Sequence, residues 1–209
     1  MPLTILFQGD SITDASRKRE LPHHLGKGYV LMTAAKLQDQ APGKNLTLLN
    51  RGISGNRTKD LLARWQEDCI SLDPDILSLF IGINNTWRRY DRDDPTPAQV
   101  FENELRALLE RTFSETRVIP EKTILLEPFL LDVPEGSKKH WFEDLGPKQE
   151  AVARAAAEFG TLFIPLQRIF ADACVHAPAA HWAPDGVHPS PAGHQLITNA
   201  WLETSAPLL

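Results

Sequence analysis

Five short apolar runs, each followed by a stretch of helical period, constrain this 209-residue chain more than any other feature. The runs fall at 3–7, 46–50, 76–81, 123–126 and 162–164, and no Asn-Gly hairpin turn joins one to the next. Continuous apolar runs of this length suit strands buried on both faces, and strands that alternate with helices pair in parallel. The pattern predicts an α/β fold, a three-layer α/β/α sandwich with a five-stranded parallel sheet. Alternation alone does not fix the strand order.

The intervening segments carry their own signals. Residues 29–40 read as a helix with Val30, Leu31, Ala34, Ala35 and Leu37 on one face, ended by Pro42-Gly43. Residues 58–70 read as another, with Leu61, Leu62, Trp65 and Cys69 on one side, which makes Trp65 a core residue. Further helices are expected at 99–113, 147–159 (with Pro147 in its first turn), 166–174 and 192–202. Residues 84–97 are polar and aromatic and read as a loop leaving the third strand. That end of a parallel strand is where ligand sites form, so Trp87, Arg88 and Tyr90 line either a ligand rim or a salt-bridged surface loop. Residues 132–144 read as a lid or edge loop in which Trp141 and Phe142 either face a substrate or staple the loop down.

Length and composition narrow the function classes. One domain over residues 1–209 suffices, burying roughly 70% of the unfolded chain's surface. The net charge of -5, with 22 basic and 27 acidic residues of scattered sign, offers no stripe for a nucleic-acid backbone. The cluster Arg17-Lys18-Arg19, followed by Glu20, reads as a solvated loop. Two cysteines, Cys69 and Cys174, are too few for a disulfide framework. No apolar run approaches the roughly 18 residues of a membrane span. The first strand begins within three residues of Met1, so no leader is expected and a cytoplasmic protein follows.

The chemistry is suggested by the two ends of the chain. The first run stops at Gly9-Asp10-Ser11, which places a serine at the tip of the turn where an α/β sheet displays reactive side chains. A serine hydroxyl needs a base to take its proton, and the base needs an orienting group. Asp185-Gly186-Val187-His188-Pro189 supplies both on one short loop.

These segments, together with Arg51-Gly52-Ile53-Ser54-Gly55-Asn56 and Gly82-Ile83-Asn84, resemble the four blocks of the GDSL or SGNH hydrolase family in the family's order. Gly28-Tyr29-Val30, Ala63-Arg64-Trp65 and the stretch from Gly82 to Trp87-Arg88 look most like the branch that includes bacterial acetylxylan esterases. The resemblance implies the flavodoxin-like strand order of the SGNH fold and a serine esterase that deacetylates carbohydrates such as xylo-oligosaccharides. It also implies a Ser11-His188-Asp185 triad and an oxyanion hole made by the backbone N–H of Ser11, the backbone N–H of Gly52 and the side-chain amide of Asn84. Asp10, Trp87, Arg88, Tyr90 and Trp182 are the substrate-binding candidates. The implied partner is a small-molecule ester, an acetylated sugar, with neither metal nor cofactor. Related esterases often oligomerise, although no stripe in this sequence marks an interface.

Three departures from the family pattern stand out: Ile12 in place of leucine after the serine, Asn85 in place of the usual aspartate, and Ala183-Pro184 between Trp182 and Asp185. Within the same chemistry, a lysophospholipase or thioesterase is the alternative, but it needs a long apolar acyl channel that the sequence does not display. Two other readings compete. A metal-dependent hydrolase would use Asp185, His188 and His194 with His23 or His24, although the adjacent histidines suit an exposed rim better. A non-catalytic flavodoxin-like binding module would have no use for the Asp185-His188 pair, and no Gly-x-Gly-x-x-Gly loop follows the first strand.

Overall fold

The structure, a computed structural model, describes residues 3–40 and 42–209. Strand β1 (Leu3–Gly9) leads into a single-turn helix α1 (Ser11–Asp14), then helix α2 (Tyr29–Gln40) and strand β2 (Leu46–Asn50). Helix α3 (Thr58–Asp68), strand β3 (Ile76–Phe80) and helices α4 (Ile83–Arg92) and α5 (Ala98–Glu115) follow. Strand β4 (Thr123–Leu126), helix α6 (Phe142–Phe159), strand β5 (Leu162–Ile164) and helices α7 (Leu166–Ala173), α8 (Ala179–Trp182) and α9 (Pro191–Ser205) complete the chain.

Among the described residues five strands pair in parallel in the order β2-β1-β3-β4-β5, so the expected three-layer architecture and strand order are both observed. Alternation within each strand divides the core in two, because successive side chains leave a strand on opposite faces. Ile5, Phe7, Leu48, Ile76, Ile124 and Leu126 face α2, α7 and α9. Leu6, Leu49, Leu77, Leu79 and Leu125 face α3, α5 and α6. Each layer buries one tryptophan with its indole N–H satisfied: Trp201 donates to Ser78 Oγ at 3.0 Å and Trp65 to Thr112 Oγ1 at 3.1 Å. Among the described residues no helix is long and apolar enough to cross a membrane.

Two expectations need correction. Residues 83–92 form helix α4, where a loop was expected from composition. The helix is polar along most of its length, but its first turn buries Ile83, Asn84, Asn85 and Thr86, and Trp87 and Tyr90, three residues apart, both pack on Trp141. Helix α6 begins at Phe142, which leaves Pro147 inside it instead of in its first turn. The extra turn is held by buried Leu145 and by an ion pair between Asp144 and the fully buried Lys148. The expected lid is therefore partly helical, and Trp141, only 5% exposed, staples it to α4.

Candidate active site

The order β2-β1-β3 places the ends of β1 and β3 side by side, and the chain leaving each strand supplies part of one cleft. Ser11 opens α1, directly after the Asp10 cap, whose carboxylate accepts from the Ile12 N–H at 3.0 Å. Asp185 and His188 arrive on the loop between α8 and α9, with Gly186 at φ 81° turning the chain back. A Cβ on Gly186 would lie 2.3 Å from the Leu131 carbonyl, so both the left-handed conformation and the close approach call for glycine.

Ser11 Oγ stands 3.0 Å from His188 Nε2, and His188 Nδ1 stands 2.7 Å from Asp185 Oδ2. The other Asp185 oxygen accepts from the backbone N–H groups of Val187 at 2.9 Å and His188 at 2.7 Å. Burial pulls the Asp185 carboxyl upward, but the hydrogen bonds from the His188 ring and from these two amides outweigh it and hold it well below the usual carboxylate range. The Asp185 hydrogen bond in turn raises the His188 imidazole above its ordinary value, against the opposing effect of burial. A serine, a base and an ionised orienting group thus form one hydrogen-bonded chain able to deprotonate a hydroxyl.

The candidate oxyanion donors sit at the same edge of the sheet but are not equally available. No acceptor is found for the Ser11 backbone N–H among the described residues. Asn84, 3% exposed on the first turn of α4, accepts from Arg88 Nη2 at 3.3 Å through its oxygen and donates to the Asn56 carbonyl at 3.2 Å, which leaves one amide hydrogen uncommitted. The Gly52 N–H already donates to Asn50 Oδ1 at 2.9 Å, so it can reach an oxyanion only as a shared donor. A Cβ on Gly52 would lie 2.4 Å from the Asp14 backbone nitrogen, and this contact lets α1 seat against the end of β2.

The five substrate-binding candidates do not converge. Trp87 stands beside the triad, its ring 5.7 Å from that of His188. Arg88 is engaged by Asn84 and Asp91. Tyr90 reaches the triad only through Trp141 and Trp87, and its one hydroxyl proton is shared between the His140 carbonyl and Glu143. Asp10 is 2% exposed beneath the serine turn, a capping position closed to substrate, where burial pushes its carboxyl up to about 7. Trp182 braces the turn into α9: its indole donates to the Ala177 carbonyl and its own carbonyl accepts from the Ser190 N–H.

Sequence reasoning missed several contributors. Arg17, read as part of a solvated loop, donates through Nε at 3.3 Å and Nη2 at 3.0 Å to the Gly52 carbonyl, and Arg19 pairs with Asp14. Lys138, from the segment before α6, donates to the Asp185 carbonyl at 2.7 Å. The ligand set of a metal hydrolase is not assembled: the His188 nitrogens face Ser11 and Asp185, His194 Nδ1 accepts from the Tyr29 N–H, and His24 Nδ1 accepts from the backbone of its own loop. Cys69 and Cys174 are unpaired.

Residues 7–196 match the model of the GDSL-like lipase/acylhydrolase family. The chain belongs to this family. It is 36% identical over 203 residues to an acetylxylan esterase from Geobacillus stearothermophilus, covering 95% of this chain and 91% of that one. A crystal structure of an acetylxylan esterase from the same organism superposes with a TM-score of 0.87 at 34% identity, covering 97% of this chain and 93% of that one. A GDSL-like lipase candidate from Parabacteroides merdae superposes with a TM-score of 0.92 at 36% identity, covering 98% and 95%. This GDSL-family protein is a carboxylic-ester hydrolase with the SGNH fold.

Proposed function

We propose that this esterase removes acetyl groups from carbohydrate hydroxyls, xylo-oligosaccharides among them, through a Ser11-His188-Asp185 triad. The observation that carries the reading is the unbroken hydrogen-bonded chain from Ser11 Oγ to Asp185 in a protein 36% identical to an acetylxylan esterase. Catalytic mutants of that relative have a serine, a histidine or an aspartate replaced by alanine, the same three residue types. The residues flanking Ser11 are polar and charged, with Asp14, Arg17, Arg19, Glu20 and Ser54 on the cleft wall, which suits a hydrophilic alcohol and a short acyl group.

In this mechanism His188 Nε2 takes the Ser11 proton as Oγ attacks the ester carbonyl carbon. Asp185 stabilises the resulting imidazolium. The negative charge on the carbonyl oxygen is met by the Ser11 N–H and the free Asn84 amide hydrogen, with Gly52 as the shared donor. Each such donor is typically worth about 2.7–4 kcal/mol in the transition state. Collapse of the tetrahedral intermediate breaks the bond to the sugar oxygen, which takes the proton from His188. A water molecule then gives its proton to His188 and attacks the acyl-serine, releasing acetate and restoring Ser11. Acetate release from acetylated xylo-oligosaccharides, compared with hydrolysis of long-chain acyl esters, tests the assignment. Higher kcat/KM on the sugar ester is expected; preference for long chains overturns the deacetylase reading and leaves the triad standing.

A further inference from the structure

Beside Ser11 lies a cleft of about 650 Å³ bordered by His188, Pro189, Ser54, Arg17 and His194. We infer that this cleft receives the alcohol half of the ester, and that the His194 Nε2–H on its wall is the donor that reads a free hydroxyl of that half. The inference rests on the acetyl-sugar reading above.

His194 is fixed through its backbone, its Nδ1 and one edge of its ring. Its backbone N–H donates to the Ser190 carbonyl at 2.8 Å, and its carbonyl accepts from Thr198 Oγ1 at 3.0 Å. Its Nδ1 accepts from the backbone N–H of Tyr29 at 3.1 Å. A backbone amide can only donate, so Nδ1 carries no proton and the ring hydrogen resides on Nε2. The ring lies near parallel to that of Tyr29, at 16° and 6.4 Å between centroids. Gly28 packs so close that a Cβ there would come within 2.7 Å of His194 Cε1. With the Cε1–Nδ1 edge sealed against Gly28 and Tyr29, the Nε2–Cδ2 edge is the one left to face the cleft. No acceptor for Nε2 is found among the described residues.

The charge state fits a donor and excludes a second base. Burial, with a smaller contribution from His188, lowers the His194 imidazole to about 4, so it stays neutral wherever His188 can act. A neutral N–H beside a cleft whose Arg19 is paired with Asp14, and whose Arg17 is engaged by the Gly52 carbonyl, suits an uncharged oxygen better than an anion. The location selects the alcohol half. The departing oxygen must lie within reach of His188 Nε2 to receive its proton, and the group attached to it extends past Pro189 toward His194. A sugar offers a hydroxyl on the neighbouring carbon, whereas a simple alkyl or aryl alcohol does not.

The full-length protein carrying His194→Phe or His194→Gln tests this on monoacetylated methyl xyloside and 4-nitrophenyl acetate. His194→Phe is expected to lower kcat/KM on the xyloside by roughly 10-fold and on the aryl ester by less than about 3-fold, while the pH profile stays in place. His194→Gln, which keeps an acceptor for Tyr29 and a distal donor, is expected to restore most of the xyloside rate. Equal losses on both esters, or none on either, overturn the inference. Because His194→Phe also removes the Tyr29 acceptor and can impair folding, wild-type enzyme is compared on the xyloside and on its analogue with the free hydroxyls replaced by hydrogen. A drop of roughly 10-fold or more is expected, and indifference to the hydroxyls overturns the inference while leaving the deacetylase reading intact. Wild-type enzyme that releases no acetate from the xyloside but cleaves long-chain esters overturns both.

Discussion

The Lys138 ammonium donates to the Asp185 carbonyl at 2.7 Å, tying the segment before α6 to the loop that carries Asp185 and His188. The same ammonium lies over the rings of Trp87 and Trp141, and its charge lowers the affinity of His188 for a proton. Removing it has two separable consequences. Lys138→Met lets the His188 pKa rise, so the acidic limb of the kcat/KM profile moves to higher pH. It also frees the Asp185 loop, with an expected loss of roughly 3- to 10-fold in kcat at the optimum. A pH-rate profile of the variant that superposes on that of wild type contradicts this.

The triad assignment makes the sharpest kinetic prediction. Ser11→Ala and His188→Ala are each expected to cut kcat by roughly 10⁴-fold or more without lowering Tm, because triad members act as a unit. Asp185→Asn should cost about 10⁴-fold by favouring the wrong His188 tautomer. A fluorophosphonate is expected to label wild type at Ser11 and to leave Ser11→Ala unlabelled. Near-wild-type turnover in any of the three variants would remove that residue from its assigned role.

Asn84 is fixed by Arg88 on one side and the Asn56 carbonyl on the other, so its free hydrogen is set before substrate arrives. Asn84→Ala is expected to reduce kcat by about 10²- to 10³-fold with little change in KM, since the donor is used mainly by the transition state. Arg88→Ala should produce a smaller loss of the same kind. A KM effect without a kcat effect places Asn84 in ground-state binding instead.

What could be read from the sequence depended on whether its cause was local. The apolar runs around Ile5, Leu48, Ile76, Ile124 and Phe163 identify strands because each is buried by the sheet itself. Asp185 and His188 are three residues apart, and Ser11 ends an apolar run at a glycine, so their short-range geometry is encoded nearby. Helix α4 was not legible, since its stability comes from Trp87 and Tyr90 meeting Trp141, about fifty residues away. Lys138 was hidden for the same reason: nothing near it predicts contact with Asp185. Asp10, a substrate-binding candidate, instead caps α1 below the surface, and nothing adjacent in sequence signals that burial.

Burial of Asp10 makes a stability prediction with a definite sign. Its carboxyl is raised from 3.8 to about 7, so between these values the folded protein binds a proton that the unfolded chain releases. The stability of the folded state therefore falls as pH rises from about 4 to about 7 and levels off above that. Asparagine caps a helix as well as aspartate does and does not ionise. Asp10→Asn is expected to raise stability at pH 8 by about 2–4 kcal/mol and to change it little at pH 4. The loss of a nearby negative charge should also lower the His188 pKa and move the acidic limb of kcat/KM downward. Thermal unfolding at the two pH values checks the first statement; equal destabilisation at both contradicts it.

Asn85, where the family pattern carries aspartate, is explained by a neighbour on α5. Its Oδ1 accepts from the Thr58 N–H at 3.2 Å and its Nδ2 donates to Thr58 Oγ1 at 2.9 Å, while the Thr58 hydroxyl donates to Glu104. The Thr58 hydroxyl has one proton, already given to Glu104, so the fully buried group at position 85 must be able to donate. An aspartate would present a second carboxylate to that single proton. Asn85→Asp is therefore expected to destabilise the fold by about 1–3 kcal/mol at neutral pH. The folded-state pKa of the introduced carboxyl would be raised, so the penalty should shrink as pH falls through that value and the acid becomes a donor. Glu104→Gln, which returns a donor to the far side of Thr58 and frees the hydroxyl to face the introduced carboxylate, should recover part of the loss. A double-mutant cycle with additive effects would show that Asn85 and Glu104 do not share the Thr58 proton.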